Sequence, residues 1–217
     1  MGDSWQRLSV SLCDHPGADT VTFKITCRLS ARYGKGKVMS IDGLRELVQT
    51  LDKETMLNCQ CVRLLTEEYL AYAGRDSPEL VQAASICDVG KMYVSSRILQ
   101  KESGLSLAEM QIVRLHPYMG WLTAKEYGVS DEVAQIVLFH HGRSPLHLQD
   151  IPMGSDEVLT KARMIYTFDA FHAMTSERCY RKAMEPRLAM EIMTEECHRD
   201  MTFDGSVLDF LKRRYCL

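Results

Sequence analysis

Five side chains with metal-binding atoms occur in order along the chain: Asp88, His116, His140, His141 and Asp169. Carboxylate oxygens and imidazole nitrogens suit Fe, Mn or Zn better than they suit a soft-metal site built from thiolates. A lone histidine is more often an ordinary hydrogen-bonded residue of the core or surface, so no single member carries the argument. The ordered set, on predicted helices or helix ends, predicts a hydrolytic site with one or two divalent ions per chain.

Four segments match the motifs of a known family. Cys87-Asp88-Val89-Gly90-Lys91 stands where that family carries H-D-I-G-K, and residues 115–120 (LHPYMG) resemble its K-H-P-x-x-G. His140-His141-Gly142 resembles its H-H-E doublet, and residues 168–183 (FDAFHAMTSERCYRKA) resemble A-D-x-F-D-A-L-T-S-D-R-P-Y-R-K-A. The chain therefore resembles the HD-GYP subfamily of the HD-superfamily metal-dependent phosphohydrolases over about residues 42–214.

This resemblance implies an all-α HD-domain helical bundle and an ancestor that opens cyclic di-GMP with metal-activated water. It implies that Asp88 bridges metal ions and acts in catalysis together with Lys91. The other ligand positions that carry over are His116, His140, His141 and Asp169. The positions that would contact substrate phosphates are Lys91, Arg178 and Arg181.

The family also places a Glu and a His four residues apart, on one face of a helix. Matching Val62 and Gly74 to its pattern puts Glu54 at the glutamate, as a further metal ligand, and Asn58 at the histidine. Asn58 would be a weak, neutral ligand. This register needs a short deletion near residue 76, and another register would use Cys59 for the histidine.

The chain departs from the family pattern at several positions. Cys87 stands at the HD histidine, where it is either a thiolate ligand or a small buried hydrophobe that fills the space of a lost ligand. Gly142 replaces the Glu of the doublet, and His172 replaces the second Asp of D-x-F-D-A. Residues 144–150 retain neither the glycines nor the Tyr-Pro of the W-D-G-x-G-Y-P tract.

These losses favour a domain that binds metal and a phosphorylated nucleotide such as cyclic di-GMP in a signalling role, with catalysis weak or lost. The alternative is an active metal-dependent phosphodiesterase or phosphohydrolase that cleaves a cyclic dinucleotide or a related phosphoester. The sequence leaves open whether the chain is an enzyme. Its expected partners are the nucleotide and a signalling protein.

Hydrophobic patterns place the candidate ligands on helices, because apolar residues follow a mostly 3.6-residue period from about residue 42 onward. Ser106 and Glu109 form a capping box that opens the helix carrying His116. Pro117 would lie inside that helix, where a proline bends the axis and could aim His116 inward. Ser130 begins the helix that ends at the histidine doublet.

Two N-terminal segments, 8–13 and 21–29, alternate between apolar and polar residues around a turn-rich segment at 14–19. They predict a small β-hairpin within residues 1–41, ahead of an HD-GYP-like helical domain at 42–217. A lone hairpin is marginally stable and has two open edges. It must pack on the helices or pair with another chain, which makes it a candidate homodimer contact.

Composition narrows the remaining classes of function. The net charge of −3 supplies no basic field, which argues against a nucleic-acid partner. No apolar run reaches the ~18 residues of a membrane span, so no membrane partner is expected. Eight cysteines without a secretory segment indicate reduced thiols and a cytoplasmic location.

Overall fold

The computed structural model describes residues 6–12, 21–27, 39–142, 151–177, 182–200 and 202–216. Two strands, β1 (Gln6–Leu12) and β2 (Val21–Cys27), pair antiparallel, with Gln6 opposite Cys27 and Leu12 opposite Val21. Residues 13–20, which would form the turn, lie outside the described residues. The N-terminal hairpin therefore stays a prediction.

The rest of the described chain is helical, and the predicted all-α body is confirmed. Its elements in chain order are α1 (Ile41–Val48), α2 (Lys53–Ala73), α3 (Pro78–Ile86), a 3-10 helix (Val89–Tyr93), α4 (Ser96–Leu99), α5 (Leu107–Arg114), α6 (His116–Glu126), α7 (Asp131–Phe139), α8 (Asp156–Thr175), α9 (Pro186–Asp200) and α10 (Gly205–Arg214). The helical body, Met39–Gly142 with Gly154–Leu217, forms one compact unit, and the strands belong to a second. No helix among the described residues is long and apolar enough to cross a membrane.

Side-chain caps fix where the helices begin. The predicted capping box is present, because Ser106 Oγ accepts from the Glu109 amide and the Glu109 carboxylate accepts from the Ser106 amide. Ser130 caps α7, also as predicted, and Ser155 caps α8. Asp52 caps α2, which divides the first long apolar pattern into two helices.

One predicted helix is two. α5 ends at Arg114 and α6 begins at His116, so the prediction of a single helix from Ser106 through His116 is wrong. The reason is Pro117, which lies in the first turn of α6, where its missing N–H costs no helical hydrogen bond. His116 is therefore aimed by a helix start rather than by a bend within a helix.

The core joins the elements that carry the candidate ligands. α2 packs on α3 and α8, and α7 packs on α3, α6 and α8. Tyr69 of α2, Phe168 of α8 and Phe210 of α10 meet edge to face, with ring centroids 5.7–6.3 Å apart. Such aromatic contacts add to the burial energy and fix α8 against α2.

Candidate metal centre

Three helix ends bring the candidate ligands together. Asp88 lies between the end of α3 and the start of the 3-10 helix, His116 begins α6, and His140 and His141 follow the last turn of α7. α6 packs on both α7 and the 3-10 helix after Asp88. A helix end lets adjacent residues such as His140 and His141 face one point, which a helix interior does not.

The approach of the 3-10 helix to α6 requires a glycine. A Cβ on Gly90 would lie 1.9 Å from the carbonyl oxygen of His116 and 2.6 Å from the amide nitrogen of Gly120. Both neighbours are backbone atoms, which have no freedom to turn away. Gly90 therefore sets the separation between Asp88 and His116.

Asp88, His116, His140 and His141 each offer a ligand atom, and these atoms lie within 4.8 Å of one another. Nε2 of His116 lies 3.3 Å from Nε2 of His140 and 3.2 Å from Oδ1 of Asp88. Asp88, His116 and His140 are at most 4% exposed. His141 is the open side of the cluster, with 36% of its side chain exposed.

Backbone carbonyls set the orientation of two of these rings. Nδ1 of His116 donates to the carbonyl of Val113 at 2.8 Å, and Nδ1 of His140 donates to the carbonyl of Val137 at 2.6 Å. A carbonyl oxygen only accepts, so the ring proton is on Nδ1 and Nε2 carries a lone pair. Metal-binding histidines commonly have their second nitrogen held this way.

Two Nε2 lone pairs and one carboxylate oxygen therefore converge in a buried space. Acceptors this close repel unless a cation, either a proton or a metal ion, lies among them. Burial, followed by the charge of His141, lowers the pKa of His140 to about 4, which favours the neutral ring that a metal binds. The residues fit a divalent metal ion.

The second oxygen of Asp88 has different partners. Oδ2 accepts from Nζ of Lys91 and from Nδ2 of Asn58, each at 2.8 Å. Burial alone would raise the pKa of Asp88, but the ammonium of Lys91 beside it holds that pKa well below its usual value. Burial likewise opposes the charge of Lys91, yet Asp88 and Asp169 raise the pKa of this ammonium.

Asp169 lies beside the cluster rather than within it. Its Oδ1 accepts from Nδ2 of Asn58 at 2.6 Å, and its Oδ2 lies 3.9 Å from Nε2 of His141. The carbonyl oxygen of Asn58 accepts in turn from Nδ1 of His172 at 2.7 Å. The predicted ligand Asp169 is thus joined to Asp88 through one amide.

Cys87 has a thiol partner. Its Sγ lies 3.9 Å from Sγ of Cys59, and both side chains are buried. These two thiols and Asp88 form a second group of ligand atoms within 4.8 Å, separate from the histidines. The hydrogen bond with Cys59, together with burial, holds the pKa of the Cys87 thiol well above its usual value.

A cavity of about 310 Å³ opens beside Asn58 and Lys91. Its charged lining residues are Asp52, Glu54, Lys91 and Lys101. Its apolar lining residues are Ile98, Leu99, Leu105, Met110 and Val113. Glu54, a predicted metal ligand, lines this cavity and stands outside the group of four. Arg178, Arg181 and residues 144–150 lie outside the described residues.

Sequence reasoning did not anticipate the links among Asn58, Asp169 and His172, which join α2 to α8 across more than 100 positions. It treated Asn58 as a weak ligand and His172 as an isolated departure. One signal was present. Two departures from the family pattern fell at positions that could accept and donate to each other, and only the fold shows that they meet.

The helical fold and the Asp-His cluster together define a domain of the HD class. The sequence model of the HD domain family matches residues 48–207, well over half of the chain, and the chain belongs to that family. The predicted resemblance to its HD-GYP members is confirmed by named relatives.

These relatives are bacterial phosphodiesterases. The chain is 33% identical over 136 residues to a 3′3′-cGAMP-specific phosphodiesterase of Vibrio cholerae, covering 62% of this chain and 29% of the relative. It is 32% identical over 116 residues to a cyclic di-GMP phosphodiesterase of Pseudomonas aeruginosa, covering 52% and 28%. It is 26% identical over 151 residues to the cyclic di-GMP phosphodiesterase response regulator RpfG of Xanthomonas campestris, covering 69% and 39%.

A solved structure supports the fold. The crystal structure of a cyclic GMP-AMP specific phosphodiesterase from V. cholerae superimposes with a TM-score of 0.50 at 24% identity. The match covers 82% of this chain and 40% of that one. The chain thus spans between 28% and 40% of the length of these proteins.

Proposed function

We propose that this chain is a metal-binding HD domain that recognises a phosphorylated nucleotide, such as cyclic di-GMP, in a signalling role, with slow or no turnover. The observation that carries the proposal is the convergence of three buried acceptor atoms. Nε2 of His116 lies 3.2 Å from Oδ1 of Asp88 and 3.3 Å from Nε2 of His140. Buried acceptors in this arrangement call for a cation. Their oxygen and nitrogen chemistry suits Fe, Mn or Zn.

A bound divalent ion would polarise a phosphate oxygen and lower the pKa of a bound water. The protein would hold the ligand atoms in place, because the carbonyls of Val113 and Val137 fix both rings. Lys91 adds a positive charge next to Asp88 and at the wall of the cavity. An ammonium has three donors, so Lys91 can bond Asp88 and a phosphate together.

The cavity supports a nucleotide as the ligand. Its volume of about 310 Å³ is at the small end of ligand pockets, which run to ~1,000 Å³. It therefore suits one nucleotide unit of a cyclic dinucleotide, with the other unit outside. The apolar wall would contact the base, and Lys91 and Lys101 would attract phosphates.

Slow or absent turnover is proposed because groups that the family uses are replaced here. Cys87 pairs with Cys59 beside Asp88, and Gly142 supplies no carboxylate after the doublet. Without the glycines of the lost tract at 144–150, the backbone cannot approach a ligand as closely. Affinity should then be micromolar or weaker, at best about −8 kcal/mol.

Titration calorimetry of the Mn-loaded full chain with cyclic di-GMP and with 3′3′-cGAMP tests the proposal. Binding should be micromolar or weaker and should weaken about tenfold in Lys91→Gln, which corresponds to about 1.4 kcal/mol. Lys91→Arg keeps the charge and should bind within a few-fold of wild type. Lys125→Gln, a change at a half-exposed lysine away from the cavity, is the matched control. No binding of either nucleotide at millimolar concentration would contradict the proposal that the chain recognises a cyclic dinucleotide.

Chromatography of the same mixtures separates the proposal from the active phosphodiesterase. We expect the cyclic nucleotide to persist over hours with metal present. Rapid metal-dependent appearance of a linear product, lost in Asp88→Asn, would establish the enzyme instead.

We also propose that the N-terminal strands mediate a homodimer, because a two-stranded sheet leaves two edges unpaired. Deleting residues 1–30 should halve the mass measured by light scattering. A monomeric intact chain would contradict this contact. A signalling protein as a further partner stays a prediction.

A further inference from the structure

Asp88 and Asp169 share one hydrogen-bond donor. Nδ2 of Asn58 lies 2.8 Å from Oδ2 of Asp88 and 2.6 Å from Oδ1 of Asp169. An amide NH₂ group has two N–H donors, so it can give one to each carboxylate. Two carboxylates that converge on one point are expected around a cation. Here the atom between them is Nδ2 of Asn58, the nitrogen of a neutral amide.

The orientation of this amide is fixed by its other end. Oδ1 of Asn58 accepts from Nδ1 of His172 at 2.7 Å. The reversed amide would turn its oxygen toward two carboxylates, which only accept, and would set NH₂ against the imidazole. Asn58 is 2% exposed, so a mismatch of this kind would be costly. His172 therefore positions the NH₂ group between the aspartates.

The two residues also depart from the family pattern together. Asn58 stands at the upstream histidine and His172 at the second Asp of D-x-F-D-A. The structure brings these two departures into direct contact. An imidazole that could bind metal has become an amide, and the residue that touches it has changed from an acceptor to a donor. The two departures are therefore coupled, because His172 donates to the amide oxygen that Asn58 introduces.

We infer that the Asn58–His172 pair takes the place of a second metal ion between Asp88 and Asp169, so the chain binds one metal ion and not two. The inference deepens the proposed function and depends on it for the first ion. An amide nitrogen has no lone pair available to a metal, and its oxygen is engaged by His172. A second ion would have to displace both hydrogen bonds to the aspartates.

The test is metal stoichiometry in the full chain, measured by elemental analysis after loading with excess Mn²⁺ and desalting. Wild type should retain one ion per chain. Asn58→His combined with His172→Asp restores both family residues and should retain two. Asn58→Asp, which adds a carboxylate ligand, should also gain an ion. Asn58→Leu, which removes the donors without adding a ligand, should gain none.

Circular dichroism melts show which variants are folded, and Mn²⁺ electron paramagnetic resonance supplies a second readout. Wild type should give the signal of isolated Mn²⁺, and the double variant should give a spin-coupled pair. Two ions in wild type, or no gain in any folded variant that adds a ligand, would overturn the inference. No ion in wild type would instead reject the proposed metal site. Even in that case, an additional ion in the Asn58 variants relative to wild type would still test whether the Asn58 amide excludes a metal ion.

Discussion

The two oxygens of Asp88 face opposite kinds of chemistry. Oδ1 faces histidine nitrogens that carry lone pairs, which we call the histidine side: Asp88, His116, His140 and His141. Oδ2 accepts from the amide of Asn58 and the ammonium of Lys91. These two residues form what we call the amide side, together with Asp169 and His172, which bond to the same amide. The first side needs a cation from outside, and on the second the carboxylate oxygens already accept hydrogen bonds from the protein.

The two sides are also built from different parts of the fold. Backbone carbonyls at the ends of α5 and α7 hold the rings of the histidine side. Side chains of α2 and α8 hold each other on the amide side. Because the supports are separate, the amide side can change its residues without moving the histidines. The two sides of Asp88 are thus held by separate parts of the fold, so a change on the amide side need not alter the geometry of the histidine side.

The largest effect should come from Asp88→Asn, because Asp88 belongs to both sides. We expect metal affinity to fall by at least about 100-fold, since the charged ligand is gone. The free energy of unfolding should fall by about 3 kcal/mol, the low end for breaking a buried ion pair, because Lys91 keeps 18% of its side chain exposed. Elemental analysis and urea unfolding measure both quantities. Asp131→Asn, at a side chain 82% exposed, is the control and should change neither.

Gly90→Ala should disturb the histidine side by displacing the backbone that carries His116. The new methyl would lie 1.9 Å from the His116 carbonyl oxygen, so α6 must shift. We expect a loss of stability near the top of the ~1–3 kcal/mol range for overpacking, together with weaker metal binding. Gly104→Ala has nothing within 4 Å of its new methyl and should be nearly neutral. Equal urea midpoints for the two variants would argue against the close approach.

A pair of histidine variants separates the two sides directly. His116→Ala removes a ligand and should lower metal affinity by about 100-fold. His172→Ala removes the hydrogen bond that positions Asn58 and should leave one ion per chain. Competition with a chelator of known affinity measures both variants. Equal losses in both variants would mean that the sides are not separate.

The smallest effect concerns the capping box of α5, the helix that leads into His116. The hydrogen bond from Lys101 and those from Ser106 lower the pKa of Glu109 to about 2. A depressed pKa stabilises the fold above the unfolded value of ~4.3, and that stabilisation is lost as pH falls toward 2. Glu109→Gln should therefore lower the melting temperature at pH 7 and differ less from wild type near pH 3. Glu102→Gln, at an exposed glutamate outside the box, should show no such convergence.

The histidine side was largely predictable. Asp88, His116, His140 and His141 follow an ordered motif, and the structure brings their ligand atoms within 4.8 Å of one another. Helix caps at Ser106 and Ser130 were predictable too, because capping is local in sequence. Motifs and caps depend on neighbours along the chain, which is the information a single sequence holds.

The amide side was not predictable in the same way. Asn58 and His172 meet only through the packing of α2 on α8, and no local pattern marks a contact between polar residues so far apart. The break between α5 and α6 was missed for a different reason. Pro117 is compatible with either a bend or a helix start, and packing decides between them.

We propose one metal ion on the histidine side of Asp88 and an amide, in place of a second ion, on the other. The most direct measurement is a crystal structure of the Mn-loaded chain with anomalous scattering at the manganese edge. We predict one anomalous peak, bonded to Asp88 Oδ1 and to Nε2 of His116 and His140, with Asn58 still between Asp88 and Asp169. A second peak between those two aspartates, or no peak beside the histidines, would contradict the account.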